Sequence, residues 1–129
     1  MTANGEGLPT EMDALVLLGP NEFEVQKAPV PEPARHEVLC EVHSVAICGT
    51  DTELIGGHFL KKGWPPGYPY TPGHEWSGTI VAAGEQSAEL GYTVGTRVAG
   101  TAHDGCGVCR TCVTGRYNLC LNYGHEERG

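Results

Sequence analysis

Apolar positions come in short bursts separated by glycine and proline, a spacing that predicts strands and turns with little room for long helices. Residues 1–11 are polar and glycine-containing and read as a loose leader. Residues 12–18 (MDALVLL) form a compact apolar strand, and Gly19-Pro20-Asn21 is a turn that starts a hairpin with residues 23–27. Residues 29–33 (PVPEP) stay extended, because each proline fixes its own φ and biases the preceding residue away from helix. Over residues 36–47, Val38, Cys40 and Val42 alternate with Leu39, Glu41 and His43, the mark of a half-buried strand. A short helix is predicted over 50–55, stopped by Gly56-Gly57. Residues 59–72 are a proline- and aromatic-rich loop. Two more strands are expected at 76–83, closed by Gly84, and at 95–101, and a cysteine-rich lobe with little periodicity follows. There is no internal repeat. The pattern fits a mainly β, partly open barrel with one or two helical turns.

Composition narrows this further. A chain of 129 residues has room for one domain, and 40% hydrophobic residues suffice for a core. The net charge of −8 argues against nucleic acid and anionic membrane as partners, since both call for a basic surface. The start of the chain has no basic segment before an apolar run, as a signal peptide would, and no apolar stretch approaches the roughly 20 residues of a membrane helix. A cytoplasmic protein is expected, in which cysteines serve as metal ligands or free thiols more often than as disulfides.

Cys106, Cys109, Cys112 and Cys120 are spaced C-x2-C-x2-C-x7-C. Such gaps let neighbouring thiolates curl around one ion while the fourth closes a tetrahedron. Zn²⁺ accepts an S4 shell, and four protein ligands leave no open position, so the site would be structural. Disulfides across gaps this tight would be strained. An iron–sulfur cluster is the closer rival, although the ferredoxin pattern ends C-x3-C-P, whereas here the last gap is seven residues and Leu121 follows Cys120.

A second group is dispersed. Cys48 lies in Cys48-Gly49-Thr50-Asp51, after one predicted strand, and His74-Glu75 lies just before another. Two strand-end loops can converge on one metal, but each residue alone reads as readily as a small buried thiol or an ordinary hydrogen-bonded histidine. His36, His43, His58, His103 and His125 have no partner spacing that points to a metal. Cys40 reads as core. Trp64, Tyr68 and Tyr70 either line a cleft before His74 or simply pack.

Taken together, these segments resemble the zinc-containing medium-chain dehydrogenase/reductase family of alcohol, sorbitol and threonine dehydrogenases. The matching pieces are Cys48-Gly49-Thr50-Asp51, Pro72-Gly73-His74-Glu75, Val94-Gly95-Thr96-Arg97-Val98, and the cysteine run with Gly115-Arg116-Tyr117-Asn118-Leu119-Cys120. The resemblance implies a GroES-like β-barrel over residues 12–129, with a structural-zinc lobe at 104–121. It implies that Cys48, His74 and Glu75 belong to a catalytic zinc site, that Thr50 receives the substrate proton, and that Asp51 orients the ligand histidine. The implied chemistry is hydride transfer between a small alcohol or polyol and NAD or NADP, with zinc as Lewis acid.

Four departures qualify that expectation. Glu53 stands where many members have a relay histidine, and Gly95-Thr96-Arg97-Val98 replaces Gly-Asp-Arg-Val. The third protein ligand of the family is expected beyond the cysteine lobe, where His125, Glu126 and Glu127 read as a solvated tail. No G-x-G-x-x-G occurs, and a Rossmann domain would take on the order of 100–150 more residues. One expectation is thus the catalytic portion of a dehydrogenase that is inactive alone, forming a homo-oligomer or relying on a partner that supplies the nucleotide domain. The other is a stand-alone, non-catalytic zinc module.

Overall fold

The computed structural model describes residues 7–100 and 105–122. The 12–18 burst becomes strand β1 (Glu11–Gly19), paired antiparallel with β2 (Glu22–Pro29). Their turn passes through Asn21 at φ 59, a left-handed position that asparagine tolerates better than most residues. A second, three-stranded sheet has the order β3-β4-β5, made of Val38–Val45, Trp76–Ala83 and Arg97–Ala99. All its pairings are antiparallel. Reciprocal backbone bonds between Leu17 and Tyr70, at 2.8 and 3.0 Å, tie the hairpin to the aromatic loop. Neither sheet closes on itself among the described residues, so the arrangement is mainly β and open.

The core is small. Leu17, Leu54 and Ile80 are its fully buried large side chains, joined by Ala14, Val16, Ala82 and Ala83. Leu54 comes from α1 (Gly49–Ile55), so burying it fixes the helix that carries the Cys48 motif. The helix stops at Gly56 as expected, and a 3-10 turn at Leu60–Lys62 follows. In the aromatic loop, Trp64 packs between Phe59 and Tyr70 with ring centroids 5.5 and 6.2 Å apart, so these rings pack on one another.

Three elements differ from expectation. The strand expected at 95–101 pairs only over Arg97–Ala99, opposite Ser77–Thr79, and residues 101–104 lie outside the described part. Cys40 is half-buried on β3, where the residues that follow it from Glu41 to Val45 are exposed. A second helix, α2 (Glu85–Glu89), was not expected. Gly84 starts it because the 34–35 backbone lies against that residue with no space for a Cβ, while Gly84 and Gln86 donate to Glu37 and Arg35 carbonyls at 2.9 Å. No helix among the described residues is long and apolar enough to cross a membrane.

Candidate metal centres

The lobe from Gly105 to Asn122 is built from successive turns, with one 3-10 turn at Tyr117–Leu119. Backbone bonds from Val113 to Cys109, Gly115 to Cys112, Arg116 to Thr111 and Cys120 to Tyr117, all 2.9–3.0 Å, fold the 109–120 stretch back on itself. The ligand atoms of Cys106, Cys109, Cys112 and Cys120 thereby lie within 4.8 Å of one another. A tetrahedron with Zn–S bonds of about 2.3 Å has edges of about 3.8 Å, so small movements would close the shell.

Three further features fit a tetrathiolate. The Cys106 and Asn122 amides each donate to Cys120 Sγ at 3.4 Å, and Asn122 Nδ2 donates to Cys106 Sγ at 3.3 Å. Donors aimed at sulfur stabilise the ionised ligand. Gly105 is the residue that lets the sulfurs gather, because a Cβ there would lie 2.9 Å from Cys112 Sγ and 2.7 Å from Tyr117 Cβ. Left to themselves, four thiols this close do not ionise together. The Thr111 hydroxyl, with the Leu121 and Cys112 amides, holds the Cys109 thiol down to about 5. Desolvation, with neighbouring thiols adding to it, pushes Cys112 up to about 12. A divalent cation is what would let all four share the negative charge.

The second cluster is assembled by the β3–β4 pairing. Val45 lies opposite Trp76, and the Ala46 amide extends the ladder to the Glu75 carbonyl at 2.8 Å. Cys48, just beyond the end of β3, and His74, just before β4, therefore emerge at the same end of the sheet. The ligand atoms of Cys48, His74 and Glu75 lie within 4.8 Å of one another. Cys48 is the residue before α1, and its amide donates to Asp51 Oδ2 at 2.8 Å, so the carboxylate closes the first turn. Thr50 Oγ1 lies 2.9 Å from Cys48 Sγ and 3.5 Å from His74 Nε2.

The other side of the imidazole meets Asp51. Its Oδ1 is buried without a hydrogen bond, and its neighbour is His74 Nδ1 at 3.4 Å. That contact is too long and bent for a good hydrogen bond, yet it leaves Nδ1 facing the carboxylate and Nε2 facing Cys48 and Thr50. A metal on Nε2 would fit this polarity, because the ring would then carry its proton on Nδ1, toward Asp51. The site is a partial shell: a thiol, an imidazole and an exposed carboxylate, with a hydroxyl beside them.

The remaining histidines lie elsewhere. His58 Nδ1 contacts Glu53 Oε2 at 2.7 Å on the exposed end of α1, a pairing that spacing did not announce. His43 contacts the Thr79 hydroxyl at 3.4 Å on the exposed sheet face. His103, His125, Glu126 and Glu127 lie outside the described residues. Gly105, Thr111 and Asn122 were not singled out from the sequence, since a cysteine spacing points to candidate ligand atoms but not to what supports them.

The family model for the alcohol dehydrogenase GroES-like domain matches residues 34–129. A sorbitol dehydrogenase from Halalkalibacterium halodurans is 41% identical over 86% of this chain and 32% of its own length. An L-threonine 3-dehydrogenase from Pectobacterium atrosepticum is 38% identical over 86% of this chain and 30% of its own. Among solved structures, a putative zinc-binding dehydrogenase from Sinorhizobium meliloti bound to NADP superposes with a TM-score of 0.73 at 34% identity, covering 88% of this chain and 31% of that one. A thermostable alcohol dehydrogenase from Pyrobaculum aerophilum gives 0.77 at 27% identity, covering 90% and 34%. The chain thus spans about a third of the length of the relatives it matches. The open, mainly β arrangement is that of a GroES-like domain, and the chain belongs to the alcohol dehydrogenase GroES-like domain family.

Proposed function

We propose that this chain is the metal-binding catalytic part of a zinc-dependent oxidoreductase that moves a hydride between a small alcohol or polyol and NAD or NADP, with the nucleotide held by residues outside this chain. The observation that carries the reading is the gathering of Cys48, His74 and Glu75, with the Thr50 hydroxyl inside the cluster and Asp51 behind the imidazole. The names of the sorbitol and threonine dehydrogenases to which the chain is similar support the substrate class.

In this reading the residues divide the work by position. Cys48, His74 and Glu75 would hold the catalytic zinc, which supplies Lewis-acid polarisation of an alcohol or carbonyl oxygen. Thr50 Oγ1 takes the proton of the substrate hydroxyl as its own proton passes on toward solvent, and the relay runs backwards in the reverse direction. Asp51 keeps the His74 ring aligned and its Nδ1 proton in place. Cys106, Cys109, Cys112 and Cys120 would hold a second, structural zinc and take no part in the chemistry.

The test is alcohol-dependent nicotinamide reduction by the whole protein across a panel of alcohols and polyols, alongside metal content. Thr50→Ala should lower kcat by about 10²–10⁴-fold with both metals retained, as expected for a lost proton acceptor. His74→Ala should abolish turnover with the loss of one metal. Full activity in either variant would refute the assignment. A second reading, a non-catalytic zinc module acting through a partner, is favoured by one observation: the four-cysteine cluster is complete within one short segment, whereas the other offers three groups. A protein that binds metal but stays silent with every alcohol and both nucleotides would support it.

A further inference from the structure

The carboxylate behind His74 is short of a donor. Asp51 is buried, yet its Oδ1 is one of two buried polar side-chain atoms among the described residues that make no hydrogen bond. A buried acceptor left unmet is costly. The donors of its own helix are committed elsewhere. The Cys48 amide bonds the other oxygen, Oδ2, at 2.8 Å, and the Asp51 amide bonds the Cys48 carbonyl at 3.0 Å. Thr50 Oγ1 contacts Cys48 Sγ and His74 Nε2, and the Thr52 hydroxyl donates to the Gly49 carbonyl at 2.7 Å. His74 Nδ1, at 3.4 Å, would fill one lone pair of Oδ1 and leave the other.

Tyr70 approaches from outside the helix. Reciprocal bonds to the fully buried Leu17 fix its backbone, and its ring meets Trp64 edge-on at 6.2 Å and 78°. An indole N–H is only a donor, so the Tyr70 oxygen accepts from Trp64 and keeps its own proton to give. Burial raises the Tyr70 hydroxyl above its usual value; the Trp64 bond works the other way, and the charge of Asp51 adds to the rise. The hydroxyl is therefore a neutral donor within the field of the Asp51 carboxylate.

We propose that Tyr70 is a positioning residue of the Cys48–His74–Glu75 site, whose hydroxyl donates to Asp51 Oδ1 and holds that carboxylate against His74 Nδ1 once His74 carries a metal. The proposal rests on the reading of that cluster as a metal site. Asp51 then receives a proton donor from each of two loops, and the ring it steadies keeps Nε2 aimed at Cys48. Because Leu17 fixes the Tyr70 backbone, the β1–β2 hairpin would bear on a metal site whose ligands lie far from it in the chain.

Zinc affinity at the second site of the whole protein, measured by competitive chelation with the lobe kept loaded, reads the outcome. Tyr70→Phe keeps the ring and should weaken zinc binding about tenfold. In an Asp51→Asn background the oxygen that stays with the Cys48 amide leaves an N–H in the place of Oδ1. Tyr70→Phe should change nothing further there, because the acceptor is gone. The His74 Nδ1 proton of the zinc-loaded protein should also shift in the NMR spectrum of Tyr70→Phe, a signal that a packing role for the ring would leave in place. Equal affinity in wild type and Tyr70→Phe would overturn the proposal. So would the same loss in both backgrounds, which would assign Tyr70 to packing alone. A wild-type protein that takes zinc at the lobe and none at Cys48, His74 and Glu75 would overturn this proposal together with the reading beneath it.

Discussion

The cysteine lobe and the Cys48–His74–Glu75 cluster each bring candidate ligand atoms within 4.8 Å, but over very different lengths of chain. In the lobe the four sulfurs sit in one segment of tight turns, and amide donors from Cys106 and Asn122 reach back to sulfur within the same segment. In the other cluster, nothing near Cys48 in sequence points to His74. They meet because β3 and β4 pair antiparallel with Val45 opposite Trp76. A locally closed site contributes to the stability of its own segment, whereas a site closed by a sheet depends on the core beneath it. Metal loss should therefore unfold the first and merely empty the second.

The sharpest way to break this comparison is at the lobe. Cys112→Ser should remove one equivalent of zinc per chain and melt the 105–122 segment, seen as lost amide protection there, with the β3–β4 ladder still protected. Uniform loss of protection throughout would show that the lobe is not a separate folding unit. Next in size is Leu54→Ala. Emptying that fully buried position should cost about 2–5 kcal/mol in denaturant unfolding, and it should loosen the Cys48 helix while the lobe keeps its zinc. If lobe metal were lost at the same denaturant concentration as the sheet, the two regions would be coupled.

Smaller effects sharpen the contrast. Asp51→Asn leaves the Cys48 cap largely in place but removes the charge behind His74. Metal affinity at the second site should fall about 10–100-fold, by competitive chelation, with the lobe unaffected. The smallest change is expected for Asn122→Ala, which deletes one N–H···S bond to Cys106 and should weaken the lobe by about 0.5–1.5 kcal/mol. A larger loss there would mean that Asn122 organises the lobe rather than merely tuning one sulfur.

Much of the secondary structure was legible from alternation and turn residues. Trp76–Ala83 appears over the predicted span, and the hairpin turns at Gly19-Pro20-Asn21. The five-residue helix at Glu85–Glu89 was not legible, because so short a segment completes little more than one turn and shows no periodicity. Strand β5 was read too long because Gly95–Thr96 has strand-like neighbours but turns at Gly95, φ 90, before pairing begins. The support around the sulfurs was equally silent, since Asn122 and Thr111 have no distinctive spacing.

What the sequence determined by itself is the lobe. Its candidate ligands are close in the chain, so little loop entropy separates them and spacing alone brings their sulfurs together. The resemblance named Cys48, His74, Glu75, Thr50 and Asp51, but spacing could not bring them together. Only the tertiary structure decided that, because ligands on distant loops meet through strand register, and register depends on which residues the whole core buries.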